Sequence, residues 1–460
     1  MRSSSPTESG FAALAAALRR DTESVLAGYQ IADKAAERDL LGLLMQLDLL
    51  DGRFEQALAR AKLIRALQDK PADKLLSGLR LRAMATAART HAPGSEAYRQ
   101  AVACPIQREL APLPYPVIEN DIKSAKASAE LIGEGLILGR IREVLQPMAD
   151  ATGSLSGEFA PALVNARLAR LALLAVLPLK RNLIDAYSGY LAQHQVKKPD
   201  IWAARDVVLP VTGNFKPVTL AVWDSGVDTA LFGRIEFGHA LKPDPCPSLG
   251  LAQRDAANTP AMVAFFKREG VRVVNMSWGG SVNDVESELE QCGTVKTADE
   301  HKALAREIFN LGKVALPQAF ASAPGILLVA AVGNSNNDAS FVESMPADIV
   351  LPNLITVRAV DRAGDGAPFT SYGATVKVHA NGYQVESFLP GGARVALSGT
   401  SMASPQVANL AAKLLAVDPT LTPEALIRVI TGTAERSADG RRILMDPKRA
   451  LATLQSAVKP

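Results

Sequence analysis

Four short runs in the second half of the chain leave few choices of fold. Residues 218–224 (VTLAVWD), 271–278 (VRVVNMSW), 325–333 (GILLVAAVG) and 353–360 (NLITVRAV) are nearly unbroken stretches of β-branched and other apolar side chains. A strand with one wet face alternates apolar and polar positions, and these do not. Both faces must therefore be covered, as in a parallel sheet between helices. Helix-like patterns lie between the runs, at 257–270 (ANTPAMVAFFKREG) and 299–312 (DEHKALAREIFNLG). Strand alternating with helix predicts an α/β domain with a mostly parallel sheet and flanking helices, over residues 201–460. In such sheets, sites form beyond the carboxyl ends of the strands.

The first 200 residues have another rhythm and predict an all-helical domain. Leu40, Leu43, Leu44 and Leu47 fall at i, i+3, i+4 and i+7 and share one helix face. LDGRF follows, where Gly52 can take a positive φ, and Phe54, Ala57, Leu58 and Ala61 repeat the spacing. Leu75, Leu79 and Ala83 suggest a third helix. The pair around DGRFEQALARA resembles a tetratricopeptide-type hairpin, with an ordinary helical bundle as the alternative. Pro105, Pro112, Pro114 and Pro116 predict a loop near 104–118. Helical periodicity resumes over 121–148, a polar turn region covers 150–161, and a last helical stretch covers 162–192.

Bulk properties exclude several classes. With 48% hydrophobic and 21% charged residues the chain is globular, and a net charge of +3 gives no argument for nucleic acid or membrane as partners. Cys104, Cys246 and Cys292 form no CxxC pair, so neither a disulfide framework nor a zinc site is expected. Residues 11–18 (FAALAAAL) are followed by Arg19 and Arg20, which suits an amphipathic helix better than a signal peptide. The apolar run 168–179 contains Arg170 and Pro178 and is too short to span a bilayer. The expectation is a soluble protein, cytoplasmic by default, with secreted or periplasmic placement left open.

Four features stand at strand ends. Asp224 follows TLAVW, and Ser277, Trp278, Gly279 and Gly280 follow VRVVNM. Asn334 follows LLVAAVG, and Ser401 lies in SGTSMASPQVANLAAKLLA, where a glycine turn passes into an apolar helix. A serine at a helix N-terminus has the positive dipole end beside its hydroxyl. An asparagine amide can donate to a developing oxyanion. A buried aspartate can orient a histidine. Gly279 and Gly280 leave a bare backbone beside which an extended peptide could pair, with Trp278 as a bulky cleft wall. Each also has a plain structural reading: a cap for Ser401, turn residues for Asn334 and Asp224.

Taken in order, these motifs resemble the subtilisin-like serine proteases, the subtilase or peptidase S8 family. The resemblance covers residues 218–455. It implies a serine endopeptidase with Asp224 as triad acid, Asn334 as oxyanion donor and Ser401 as nucleophile, and Ser277 to Gly280 lining the substrate cleft. It implies a peptide or protein substrate and, in many members, calcium, although no acidic cluster here assigns a site. The helical first domain resembles nothing in that fold, which leaves it as a pro-region, an inhibitor or a module for a protein partner. Three positions depart from the family pattern: Gln406 stands for a histidine, Arg358 for a glycine and Asn381 for a proline.

A larger departure concerns the general base. The family order is Asp, His, Ser, with the histidine in an HGTH-type motif several tens of residues after the aspartate, and no such motif is present. His91 and His194 precede Asp224, His301 suits an exposed helix position, and His379 ends the strand ATVKVH after the oxyanion segment. His239 follows Asp224 by 239 − 224 = 15 residues, too few for a histidine-bearing helix and the strand GRIEF that should follow it. It reads as a cleft-wall residue, with general base as the alternative, and the seam of a lost segment would lie near Phe232–Gly233. Losing the histidine costs about 10⁶-fold in turnover. A non-catalytic peptide-binding or scaffold protein is therefore the rival to a peptidase.

Overall fold

The computed structural model describes residues 6–92, 95–134, 137, 173, 176–194, 198–210, 212–224, 247–292, 297–389, 391–438 and 440–457. The chain divides into two compact units, Met1–Val196 and 197–460.

The first unit is helical: α1 (Pro6–Gly28), α2 (Lys34–Leu50), α3 (Phe54–Ala66), α4 (Pro71–Leu76), α5 (Leu79–Ala88), α6 (Glu96–Leu110), α7 (Tyr115–Leu131) and α8 (Lys180–Gln193). Gly52 turns α2 into α3 at φ 71°. On α2 the expected Leu44 and Leu47 are buried, together with Leu41, while Leu40 and Leu43 are half-buried. The buried stripe also takes in Asp48, which is fully buried and ion-paired to Arg19 and Arg60. The third expected helix is broken into α4 and α5 by Gly78 at φ 73°. The loop expected at 104–118 is shorter, because α6 runs through Pro105. Tyr98, Val102, Ile106 and Leu110 are all buried at helical spacing, and their burial outweighs the one backbone bond that Pro105 cannot donate. The polar turn at 150–161, residues 138–148 of the 121–148 stretch and residues 162–172 of the 162–192 stretch lie outside the described residues.

The second unit is α/β. Its elements are β1 (Thr219–Trp223), α9 (Leu249–Arg268), β2 (Val271–Met276), α10 (Val282–Cys292), α11 (Ala298–Ala321), β3 (Leu327–Ala331), β4 (Leu354–Val360) and β5 (Val376–Asn381). The hairpin β6–β7 (Val385–Phe388, Arg394–Leu397) follows, then α12 (Thr400–Val417), α13 (Pro423–Thr433), β8 (Glu435–Arg436), β9 (Ile443–Leu444) and α14 (Pro447–Ala457). The sheet order is β1-β2-β3-β4-β5-β9-β8, and every pair from β1 to β9 is parallel. One face carries Val273, Val329, Val357 and Val378 against Val407, Ala411 and Leu414 of α12. The other carries Val274, Met276 and Leu328 against Phe266 of α9 and Phe320 of α11. Burial on both faces explains the unbroken apolar runs of β2, β3 and β4. The run 218–224, expected to be covered on both faces, is instead half-buried to exposed, because β1 has a neighbour on one side only among the described residues.

Two helices are longer than their patterns suggested. Ser248 caps α9 by accepting the Leu251 N–H, so the helix starts at Leu249. Thr297 and Glu300 form a capping box for α11, which continues past Gly312 and Pro317 because Leu316, Ala319 and Phe320 are buried under the sheet. The strand β1 is the edge of the described sheet, with Val222 65% exposed.

Candidate functional site

The site lies where α12 begins, and two close approaches set that point. A Cβ on Gly382 would stand 2.6 Å from Ala359 Cβ and 2.7 Å from the Gly399 carbonyl, so only glycine lets the chain after β5 pass beneath the start of α12. The Gly399 N–H donates to the Gly382 carbonyl at 2.8 Å. The two departures from the family pattern on this path meet: Gln406 Nε2 donates to the Asn381 carbonyl at 2.5 Å. An amide here does work that needs a side-chain donor, and asparagine at 381 also turns the chain by accepting the Tyr383 N–H.

Asn334 lies three residues beyond β3. Its Oδ1 accepts the Thr400 N–H at 2.8 Å and the Thr400 hydroxyl at 3.0 Å. Thr400 Oγ1 in turn accepts the Gly333 N–H at 3.2 Å. Because both Thr400 groups are donors to it, the oxygen of the Asn334 amide must point inward. Nδ2 is left as a donor that no described residue uses, beside Gly399 and the first turn of α12.

Ser401 is the second residue of α12 and is tied reciprocally to Ser277. Ser401 Oγ donates to the Ser277 carbonyl at 2.9 Å, and Ser277 Oγ donates to the Ser401 carbonyl at 3.1 Å. The second bond has a cause in the sequence. The Ser401 carbonyl should receive the N–H of residue 405, and residue 405 is proline. Ser277 Oγ also accepts from Asn275 Nδ2 at 2.9 Å and lies 3.1 Å from Ser404 Oγ. A hydroxyl has one proton and two lone pairs, so Ser404 must donate in that contact. Asn275 Oδ1 is buried and has no partner. Asn275, Thr400, Ser404 and Pro405 were not singled out from the sequence; the only legible signal was a proline inside the first turns of an otherwise apolar helix.

Asp224 follows the register pair Trp223–Met276, so it leaves β1 at the level where Ser277 leaves β2. Its side chain is exposed rather than buried, at the end of the edge strand of the described sheet. Trp278 is half-buried, edge-on to Trp223 with ring centres 5.3 Å apart. It is an anchor in the aromatic cluster of Trp223, Phe266 and Phe320 as much as a wall. The backbone of Gly280 is not bare. Its N–H and carbonyl both bond Met345, at 3.0 and 2.9 Å. Peptide pairing there is blocked at Gly280, while Gly279 is exposed.

The Ser401 hydroxyl donates to Ser277, and neither described histidine of the second unit, His301 or His379, is hydrogen-bonded to it. His91 and His194 are in the first unit, where His194 stacks on Tyr115 at 4.6 Å. His301, expected to be exposed, is half-buried on α11 with Nε2 enclosed. His379 lies inside β5, 3% exposed, and its ring is pushed down to about 4, first by burial and then by the Arg358 charge. His239, Cys246 and the seam at Phe232–Gly233 lie outside the described residues. Cys104 is a free, exposed thiol. Among the described residues no three His, Cys, Asp or Glu side chains could hold a metal ion. No helix among them is long and apolar enough to cross a membrane.

Residues 246–449 match the model of the Subtilase family, peptidase S8. Subtilisin DY of Bacillus licheniformis is 39% identical over 130 residues, 28% of this chain and 47% of that protein. The subtilisin-like serine protease Pen ch 13 of Penicillium rubens is 39% identical over 106 residues, 23% of this chain and 26% of that one. The chain thus spans between about a quarter and a half of the length of these curated relatives. A solved cold-adapted subtilisin-like serine proteinase is similar at 24% identity and a TM-score of 0.35, over 52% of this chain and 93% of that one.

Proposed function

We propose that the chain is a serine endopeptidase of the subtilase type, with Ser401 as nucleophile, Asn334 Nδ2 and the Ser401 N–H as oxyanion donors, and Asp224 as the acid that orients a histidine. One observation carries the reading. The Asn334 amide is locked by Thr400 so that its nitrogen is presented beside a serine in the first turn of a helix. Ser401 would attack the scissile carbonyl, its proton would pass to the base, and the oxyanion would form against fixed donors at the positive end of α12. The substrate class is a peptide or protein, held alongside Ser277 to Gly279. Residues 1–200 are proposed as a helical module separate from the chemistry, serving a partner or as a pro-region.

A second reading has its own observation. Ser401 Oγ donates to a backbone carbonyl and to no described imidazole, which suits a protein that holds a peptide without cutting it. A fluorophosphonate probe separates the two. The peptidase reading expects labelling of the wild type and none of Ser401→Ala. A folded wild type that stays unlabelled supports the binding protein instead. Labelling lost in His239→Ala would identify the base.

A further inference from the structure

The sheet face turned away from α12 carries two buried donors with nothing to donate to. Val357 and Ala359 of β4 face the core under α12, so Arg358 between them projects from the opposite face. Arg358 is half-buried, and its Nε is enclosed without a partner. It makes no ion pair with any described residue. Its guanidinium lies 5.9 Å over the ring of Tyr372, which is 44% exposed. On β5 the register partner of Arg358 is His379, so the two side chains stand next to each other on the same face. His379 Nδ1 is 3.1 Å from the Ile443 N–H and 3.3 Å from the Ile443 carbonyl. The N–H can only donate, so Nδ1 accepts and the ring proton sits on Nε2. That Nε2 is buried and has no acceptor.

Neighbouring charge is not balanced here. Arg442, the other cation felt by His379, is already paired with Asp365 at 2.9 Å, and Arg358 has no such carboxylate among the described residues. Buried donors in folded proteins are nearly always satisfied, and each exception asks for a partner. A guanidinium stacked on a tyrosine keeps its planar edge for two parallel bonds to one oxyanion. Gly366 is exposed and sets no side chain across that edge.

We infer that Arg358, with the Nε2–H of His379 beside it, forms a binding site for a small oxyanion, a carboxylate or a phosphate, on the sheet face away from Ser401. The site is independent of whether the chain is a peptidase. The family resemblance has a glycine at this position, so the feature is this chain's own.

The test uses the full chain with sodium phosphate and, separately, sodium acetate, at ionic strength held constant with sodium chloride. Thermal unfolding is followed for wild type and Arg358→Gln. The general effect of the salt acts on both proteins alike. A bound anion raises only the wild-type midpoint, and the rise saturates. The Nε2 resonance of ¹⁵N-labelled His379 shifts with the same midpoint concentration. A response to phosphate alone assigns a tetrahedral oxyanion, and a response to acetate as well assigns a carboxylate site. Parallel, unsaturable responses in both proteins, or a His379 resonance that does not move, overturn the proposal. The resonance is read on the wild type, so a variant that fails to fold leaves the test intact.

Discussion

Removing one hydroxyl should be unusually costly at Ser277. Its Oγ serves three buried or half-buried groups: the Ser401 carbonyl, Asn275 Nδ2 and Ser404 Oγ. Ser404 is 0% and Asn275 3% exposed, so neither is rescued by bulk water. Leaving one buried polar group unsatisfied costs about 1–3 kcal/mol. Three groups sharing one partner put Ser277→Ala at about 3 kcal/mol or more, against about 1 kcal/mol for an ordinary lost hydrogen bond. All three tryptophans, Trp202, Trp223 and Trp278, lie in the unit 197–460, so tryptophan fluorescence in urea reads that unit alone. With an m-value of about 2–3 kcal/mol/M the midpoint should fall by roughly 1 M. Pro405 supplies the control. Pro405→Ala restores an N–H to the Ser401 carbonyl, so in that background Ser277→Ala should cost about 1 kcal/mol less. A Ser277→Ala change within about 0.5 kcal/mol of wild type, or a cost unaltered by Pro405→Ala, would refute the shared-hydroxyl argument.

Three further outcomes are expected. In the first unit, Asp48→Ala leaves Arg19 and Arg60 facing each other without the buried carboxylate and should cost about 3–5 kcal/mol; far-UV circular dichroism should show the loss while the tryptophan transition stays put. For His379, whose folded pKa of about 4 lies below its ordinary value of 6.5, the unfolded chain takes up the proton first as pH falls. Stability is therefore full above pH 6.5 and declines toward pH 4, by up to about 3 kcal/mol; urea midpoints against pH should show that slope, and His379→Gln should lack it. Asn334→Ala should slow fluorophosphonate labelling of Ser401 about 10²–10³-fold if the amide is an oxyanion donor, whereas an unchanged labelling rate would remove Asn334 from that role.

Local pattern determined much of this protein. Unbroken apolar runs can be buried only on both faces, so 271–278, 325–333 and 353–360 became central parallel strands, whereas 218–224 became β1 at the edge of the described sheet, half-buried to exposed. The turn at Gly52 and the order of Asp224, Asn334 and Ser401 were equally legible, because each depends on a residue and its immediate neighbours. What only the tertiary structure decided depends on partners far along the chain. Helix α11 passes through Pro317 because Phe320 has a sheet to bury against. The stripe on α2 keeps Leu44 and Leu47 but takes in Leu41 and the ion-paired Asp48 in place of Leu40 and Leu43. Gly280 is claimed by Met345, 65 residues away (345 − 280), and Ser401 is tied to Ser277 across 124 residues. A sequence shows which groups lack a local partner, as the Ser401 carbonyl does before Pro405, but packing alone chooses the group that supplies one.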